Sequence, residues 1–236
     1  MVKKILILSD LGKKVGLGHY SRSKYLTREI NYYYKKNIKI YNTFCVEKDQ
    51  KKPNFQQVLI NQDFLEIISK KIKKILPDYV ILNCSKLFEK KYEKKIIFYI
   101  KKNHSNIKLI AIDGFIDSVK NFHKILIPNI YLNKKNRFNK KIMFGWDKIL
   151  IQNLKKSKTK IKNKLAVILG GTDIYNFGKI LPNYLDKNIK LKGRKIWIQG
   201  PFARKPFIKK KNGWLVIKGS KNTHRHILES EFVIVL

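Results

Sequence analysis

Short apolar runs recur along this chain, each followed by a longer amphipathic stretch, and that alternation constrains the fold more than any other feature. "KILILS" (4–9) predicts a first buried strand and "YSRSKYLTREINYYYKK" (20–36) the helix after it, with a second strand at 38–44. A helix over 63–76 stops at Pro77; a strand at 79–83, a helix at 89–103 and a strand at 107–114 follow, and "HKILIPN" and "KILIQN" are expected as shorter strands. Strand–helix alternation of this kind is the rhythm of an α/β protein built on mostly parallel sheet.

Residues 155–164, "KKSKTKIKNK", interrupt the rhythm with charge and no periodicity, as a linker does. A new cycle then begins: strand 165–171, helix 175–188, strands 195–200 and 214–219, helix 222–231 and a last strand "FVIVL". The expected organisation is an N-terminal Rossmann-like domain over 1–154, a linker over 155–164 and a partial C-terminal Rossmann-like domain over 165–236. The second is expected to be incomplete, because a buried parallel strand normally feeds a loop and a covering helix.

Each half opens with a glycine loop after its first strand. In open α/β sheets such loops lie beyond the carboxyl ends of the strands, where helix N-termini offer N–H groups to anions. In "GLGHYSR", Gly16 and Gly18 are expected at positive φ, letting the backbone approach a phosphate or sugar, and His19 at the helix start could take a proton from water or a hydroxyl. Arg22, one turn on, could bind an anion or steady the loop, and Asp10 is placed to orient the His19 ring; Asp113 is a second carboxylate at a strand end. The motif is neither a dinucleotide fingerprint nor a Walker loop, since the third glycine and the G-K-[ST] are missing. In "ILGGTDIYNFGKIL", Gly170 and Gly171 leave a strand, Thr172 and Asp173 follow, and Asn176 stands near the next helix start. Thr172 or Asp173 would also serve as a plain helix cap. The two loops together make sense if the halves face a shared cleft holding a donor sugar.

The chain carries 53 Lys+Arg against 16 Asp+Glu, a net charge of +37. Arginine, the residue of forked phosphate and base recognition, occurs only at 22, 28, 137, 194, 204 and 225, and the lysines are spread over every polar stretch. That pattern describes a solvated surface with a weak attraction for anionic headgroups or a polyphosphate-bearing substrate, and no specific nucleic-acid partner is expected. Cys45 and Cys84 are too few and too far apart for a disulfide framework or zinc site, so a cytoplasmic setting is expected. "THRH" at 223–226 lacks a carboxylate or cysteine partner nearby, and no metal site is expected there.

"GLGHYSRSKYL" resembles the G-x-G-H-x-x-R segment of the pseudaminic-acid pathway nucleotide-sugar hydrolases (PseG/SpsG type), MurG-like GT-B proteins. "AVILGGTDIYNFGKIL" is similar to their second-domain G-G-[ST]-D-x-x-N segment, and "IKLIAIDGFID" with "HKILIPN" to the segments between. The resemblance implies two Rossmann-like domains and cofactor-free, metal-independent hydrolysis of UDP-2,4-diacetamido-2,4,6-trideoxy-β-L-altrose. His19 would be the catalytic base; Gly16 and Gly18 would shape the pocket, and Gly170, Gly171, Thr172, Asp173 and Asn176 would lie against the diphosphate. The chain departs from the family where I-D-D becomes "IDG", keeping Asp113 but placing Gly114 next, and where Asn83, Cys84 and Ser85 follow "YVIL". "ESEFVIVL" resembles the strand before a further glycine-rich loop and nucleotide-binding helix, hence the expected truncation. Two other readings stay open. One is a MurG-like glycosyltransferase whose acceptor replaces water; the other is a non-catalytic nucleotide-sugar or nucleic-acid binding protein. Oligomeric state is not legible.

Overall fold

A computed structural model describes residues 2–11, 18–34, 37–46, 57–59, 64–84, 86–128, 136, 138–145, 161–170, 173, 175–189, 193–209, 212–219 and 223–235. The chain forms two compact units, the first made of Met1–Leu11 and His19–Gln152, the second chiefly of Asn153–Leu236. Both are α/β units on wholly parallel sheets.

The first unit runs β1 (Lys3–Leu11), α1 (Gly18–Tyr34), β2 (Ile38–Val46), β3 (Gln57–Leu59), α2 (Phe64–Ile75), β4 (Tyr79–Asn83), α3 (Lys86–Asn103), β5 (Lys108–Ile112), a 3₁₀ turn (Ile116–Asn121), β6 (Lys124–Ile127) and β7 (Ile142–Phe144). Its sheet has the order β3-β2-β1-β4-β5-β6-β7. The chain thus leaves β1 in one direction and returns to its other side at β4, a topological switch point. Side chains alternate across β1: Leu6 and Leu8 enter the core with Ile68 and Ile72 of α2 and Ile96 and Ile100 of α3, while Ile5 and Ile7 pack on the opposite face beside Leu26 and Ile30 of α1. Beyond α1 that second face opens into an apolar groove of about 770 Å³, floored by Ile5, Ile81, Ile110 and Ile112. α2 ends as Pro77 demands, with Leu76 in the left-handed region (φ 50°) and its N–H on the Ile72 carbonyl at 2.8 Å.

The second unit runs β8 (Ile161–Ile168), α4 (Phe177–Asn188), β9 (Lys195–Gln199), β10 (Trp214–Lys218), α5 (Thr223–Glu229) and β11 (Ser230–Val235), with sheet order β10-β9-β8-β11. It repeats the switch point, now between β8 and β11. One face packs Leu165, Val167 and Trp197 against Leu181 and Leu185 of α4; the other packs Ala166, Ile196 and Ile198 against Ile227 of α5. Pro182 lies inside α4 and has no N–H for the carbonyl of Gly178 four residues earlier. That carbonyl accepts instead from Phe207 N–H at 2.8 Å. Gly178 itself is tightly placed, since a Cβ there would meet Asp173 Oδ2 at 3.0 Å and the Pro206 Cα at 3.4 Å.

Three elements differ from the sequence-based expectation. β8 begins at Ile161, so residues 161–164 of the expected linker are strand; residues 155–160 lie outside the described residues. Lys164 is buried there and tolerated because its Nζ meets Glu229 Oε2 at 2.9 Å. β3 and β7, of three residues each, had no apolar run long enough to mark them. The expected strand "KILIQN" (148–153) lies outside the described residues.

Candidate functional site

The carboxyl ends of β1, β4 and β5 and the start of α1 gather the polar groups of the first unit. After Lys3 and Lys4, β1 is apolar until it reaches Ser9 and Asp10, both buried, and β4 ends on the fully buried Asn83. Buried polar groups need partners, and these find them in each other. Ser9 Oγ and Ser23 Oγ are 2.5 Å apart. The Asn83 amide Nδ2 lies 2.8 Å from Ser23 Oγ, 2.8 Å from the His19 carbonyl and 3.2 Å from Ser9 Oγ. Asn83 therefore ties the end of β4 to the first turn of α1 and to β1 at once.

The opposite side of the same amide carries the network outward. Asn83 Oδ1 accepts from Arg22 Nη1 at 3.2 Å, and Arg22 Nη2 pairs with Asp113 Oδ2 at 3.1 Å. Asp113 follows β5 in the left-handed region (φ 62°), a conformation that Asp tolerates better than most residues. Its N–H is held by the Leu126 carbonyl at 2.8 Å.

His19 stands one residue into α1, and its Nδ1 contacts the Asp10 carboxylate. Asp10 is 4 % exposed and His19 14 %, so the pair is close to fully enclosed. A neutral imidazole that donates Nδ1–H to Asp10 keeps its lone pair on Nε2, and Nε2 of His19 has no partner among the described residues. A carboxylate in that position fixes ring orientation and stabilises the imidazolium that forms when Nε2 takes a proton. Cys45 on β2 is in register with Asp10. Burial pushes its thiol well above the ordinary range, with the Asp10 charge adding to the effect, so it stays protonated.

Gly18 corrects an expectation. It is the first residue of α1 and does not have positive φ, and a Cβ there would meet no atom within 4 Å. Among the described residues neither backbone conformation nor packing requires glycine at 18, and what glycine leaves there is open space beside His19. Gly16 lies outside the described residues.

In the second unit the loop after β8 is built differently. Gly170 has φ 70° and needs the freedom of glycine. Asp173 spends both carboxylate oxygens on α4, accepting from Phe177 N–H at 2.8 Å and Gly178 N–H at 2.7 Å. Asn176 sits at the cap position in the left-handed region (φ 56°) with no side-chain capping bond. Gly171 and Thr172 lie outside the described residues. Sequence reasoning passed over Ser9 and Ser23 and treated Asn83 only as a departure from a family pattern. The available signal was a polar residue ending each of two apolar strands.

Among the described residues no three His, Cys, Asp or Glu side chains are grouped as a metal site would require, and no helix is long and apolar enough to cross a membrane.

No protein-family model matches the chain, and no curated protein matches it in sequence. Solved structures do. MnaA of S. aureus, in a co-structure with UDP, is 10% identical with a TM-score of 0.53, covering 99% of this chain and 74% of MnaA. MurG of Acinetobacter baumannii is 11% identical with a TM-score of 0.52, covering 98% of this chain and 73% of MurG. An alpha-glucosyltransferase in complex with UDP-glucose and abasic-site DNA is 12% identical with a TM-score of 0.47, covering 86% of this chain and 59% of its own length. The chain therefore spans less than two thirds of that glucosyltransferase and about three quarters of MnaA and MurG. The likeness to MnaA and MurG is one of fold, and with the two parallel-sheet units it makes the architecture α/β and GT-B-like.

Proposed function

We propose that the chain is a UDP-sugar enzyme in which His19 is the general base, and that its reaction is hydrolysis of a UDP-linked 2,4-diacetamido-2,4,6-trideoxy sugar. The observation that carries this reading is the enclosed Asp10–His19 pair at the carboxyl end of β1, beside the switch point, with Nε2 lacking a partner among the described residues. The bound UDP in MnaA, which shares the fold, supports the nucleotide class, and the G-x-G-H-x-x-R resemblance supports the sugar and the water.

In the proposed step His19 Nε2 takes a proton from water as the water oxygen bonds to the anomeric carbon. The bond from that carbon to the diphosphate oxygen breaks, UDP leaves with its electron pair, and configuration inverts. A diphosphate leaves without needing a proton, so one base suffices. Asp10 holds the ring and balances its new charge. Arg22, pinned by Asn83 and Asp113, contributes positive potential at the same strand ends. The open space at Gly18 gives the sugar room beside the base. In the second unit the Gly170 loop is assigned to the nucleotide through its backbone, with Asp173 acting as the cap that shapes α4, because a carboxylate repels a diphosphate.

The test is product analysis with UDP-linked diacetamido-trideoxy sugars, without acceptor, for the wild type and His19→Ala. Equal release of UDP and free sugar, abolished in His19→Ala, is the expected result. UDP release that requires an added sugar or lipid acceptor would replace hydrolysis by glycosyl transfer. Turnover unchanged in His19→Ala would overturn the proposed base.

A further inference from the structure

The second unit holds a polar cleft far from its carboxyl-end loop. It lies on the α5 face near the amino ends of β8, β9 and β10, has a volume of about 690 Å³, and is backed by Ile161, Ile196 and Leu215. That volume suits a small organic molecule. Among the described residues three cations line it from the α5 face, Lys164, Arg194 and Arg225, against a single lining carboxylate, Glu229.

Two of the charges are tied down by one carboxylate. Lys164 is 3 % exposed and reaches Glu229 Oε2 at 2.9 Å, while Arg225 Nε holds Glu229 Oε1 at 2.6 Å. Lys195 also borders the cleft, but its Nζ turns away to Asp186 of α4 at 2.6 Å. One carboxylate thus answers three cations, and the Arg194 guanidinium has no partner among the described residues. The Arg194 backbone is itself anchored, its carbonyl accepting from Leu165 N–H at 2.9 Å. His226 borders the cleft too, and its buried Nδ1 has no hydrogen-bond partner among the described residues.

On a lysine-rich surface most cations are solvated and screened. Here they converge on a concave wall with apolar backing, where screening is weaker and a guanidinium fork can meet a phosphate with two parallel bonds. From the excess positive charge, the unpartnered Arg194 and the apolar wall, we propose that this cleft is a second ligand site, for a small phosphorylated organic molecule whose phosphate meets Arg194 and Arg225 and whose carbon body lies on Ile196 and Leu215. The site is independent of the His19 reaction and its ligand is not the substrate of that reaction.

The experiment is calorimetric titration of the full chain with inorganic pyrophosphate in 0.15 M NaCl, comparing the wild type with Arg194→Gln, Arg194→Lys, Lys187→Gln and His19→Ala. Lys187 is an exposed lysine of the same unit outside the cleft. Saturable binding is expected, weakened at least tenfold in Arg194→Gln, less in Arg194→Lys, and unchanged in Lys187→Gln and His19→Ala. Arg194 is exposed, so its variants keep the fold, which a thermal melt verifies. Equal affinity in the wild type and Arg194→Gln would assign the anion to the general lysine surface and overturn the proposal. So would the absence of saturable binding at millimolar pyrophosphate, or loss of binding in His19→Ala with Arg194→Gln unaffected.

Discussion

The two units start alike and finish differently. Each has its first strand at a switch point, with glycines in the sequence between that strand and the next helix, and each has an aspartate near that helix. In the first unit the aspartate ends the strand, is almost wholly enclosed, and turns its charge on a histidine. In the second it lies past the loop, and its two oxygens are used up on the amides of Phe177 and Gly178. One arrangement leaves a basic nitrogen with unused capacity; the other closes a helix end. Similar local sequence therefore orients a histidine in one place and closes a helix end in the other, and what separates them is where the carboxylate stands relative to the helix N–H groups.

The largest effect expected from breaking this contrast is on turnover. His19→Ala should lower kcat by about 10²–10⁴-fold, the range of a general base, with UDP affinity within a few-fold of wild type. Stopped and steady-state assays of UDP release check it, with UDP titration alongside. Next comes Asn83→Ala, which takes the amide from the buried Ser9–Ser23 pair and the His19 carbonyl and leaves Arg22 held by Asp113 alone; a loss of about 3 kcal/mol is expected by denaturant unfolding. Asp173→Ala should cost about 1–2 kcal/mol, as loss of a helix cap does, with amide exchange rising first in the opening turn of α4 and kcat little changed.

The smallest effect concerns acid. Hydrogen bonds from Arg225 and then Lys164 hold the Glu229 carboxyl down at about 2 against an ordinary value of 4.5. A depressed carboxyl stabilises the native state above its unfolded value and loses that contribution as pH falls through its folded value. Stability of the second unit should therefore decline between about pH 4.5 and 2, and Glu229→Gln should flatten that part of the profile. A melt-versus-pH series on both chains measures it.

Much of the fold was legible because strands such as β1 and β4 are near-continuous apolar runs and α2 carries a helical apolar stripe ended by Pro77. The start of β8 was not, because Lys164 reads as linker until Glu229, 65 residues away, neutralises it inside the wall. Gly18 misled in the other direction: a glycine before a histidine suggested positive φ, and the helix simply begins there. The nearness of Asp10 to His19 could be read from the chain. The Ser9–Ser23–Asn83 cluster could not, since it joins residues up to 74 positions apart through sheet order alone.

The central claim is that the Asp10–His19 pair, and not the capped Asp173 loop, performs the chemistry. Measuring kcat and UDP affinity for Asp10→Asn and Asp173→Asn side by side on a UDP-linked diacetamido-trideoxy sugar tests it most directly. The account predicts a fall in kcat of about 10²-fold or more for Asp10→Asn with UDP affinity retained, through loss of ring orientation and charge balance, and a kcat near wild type for Asp173→Asn. A wild-type kcat in Asp10→Asn, or a comparable collapse in Asp173→Asn, would contradict it.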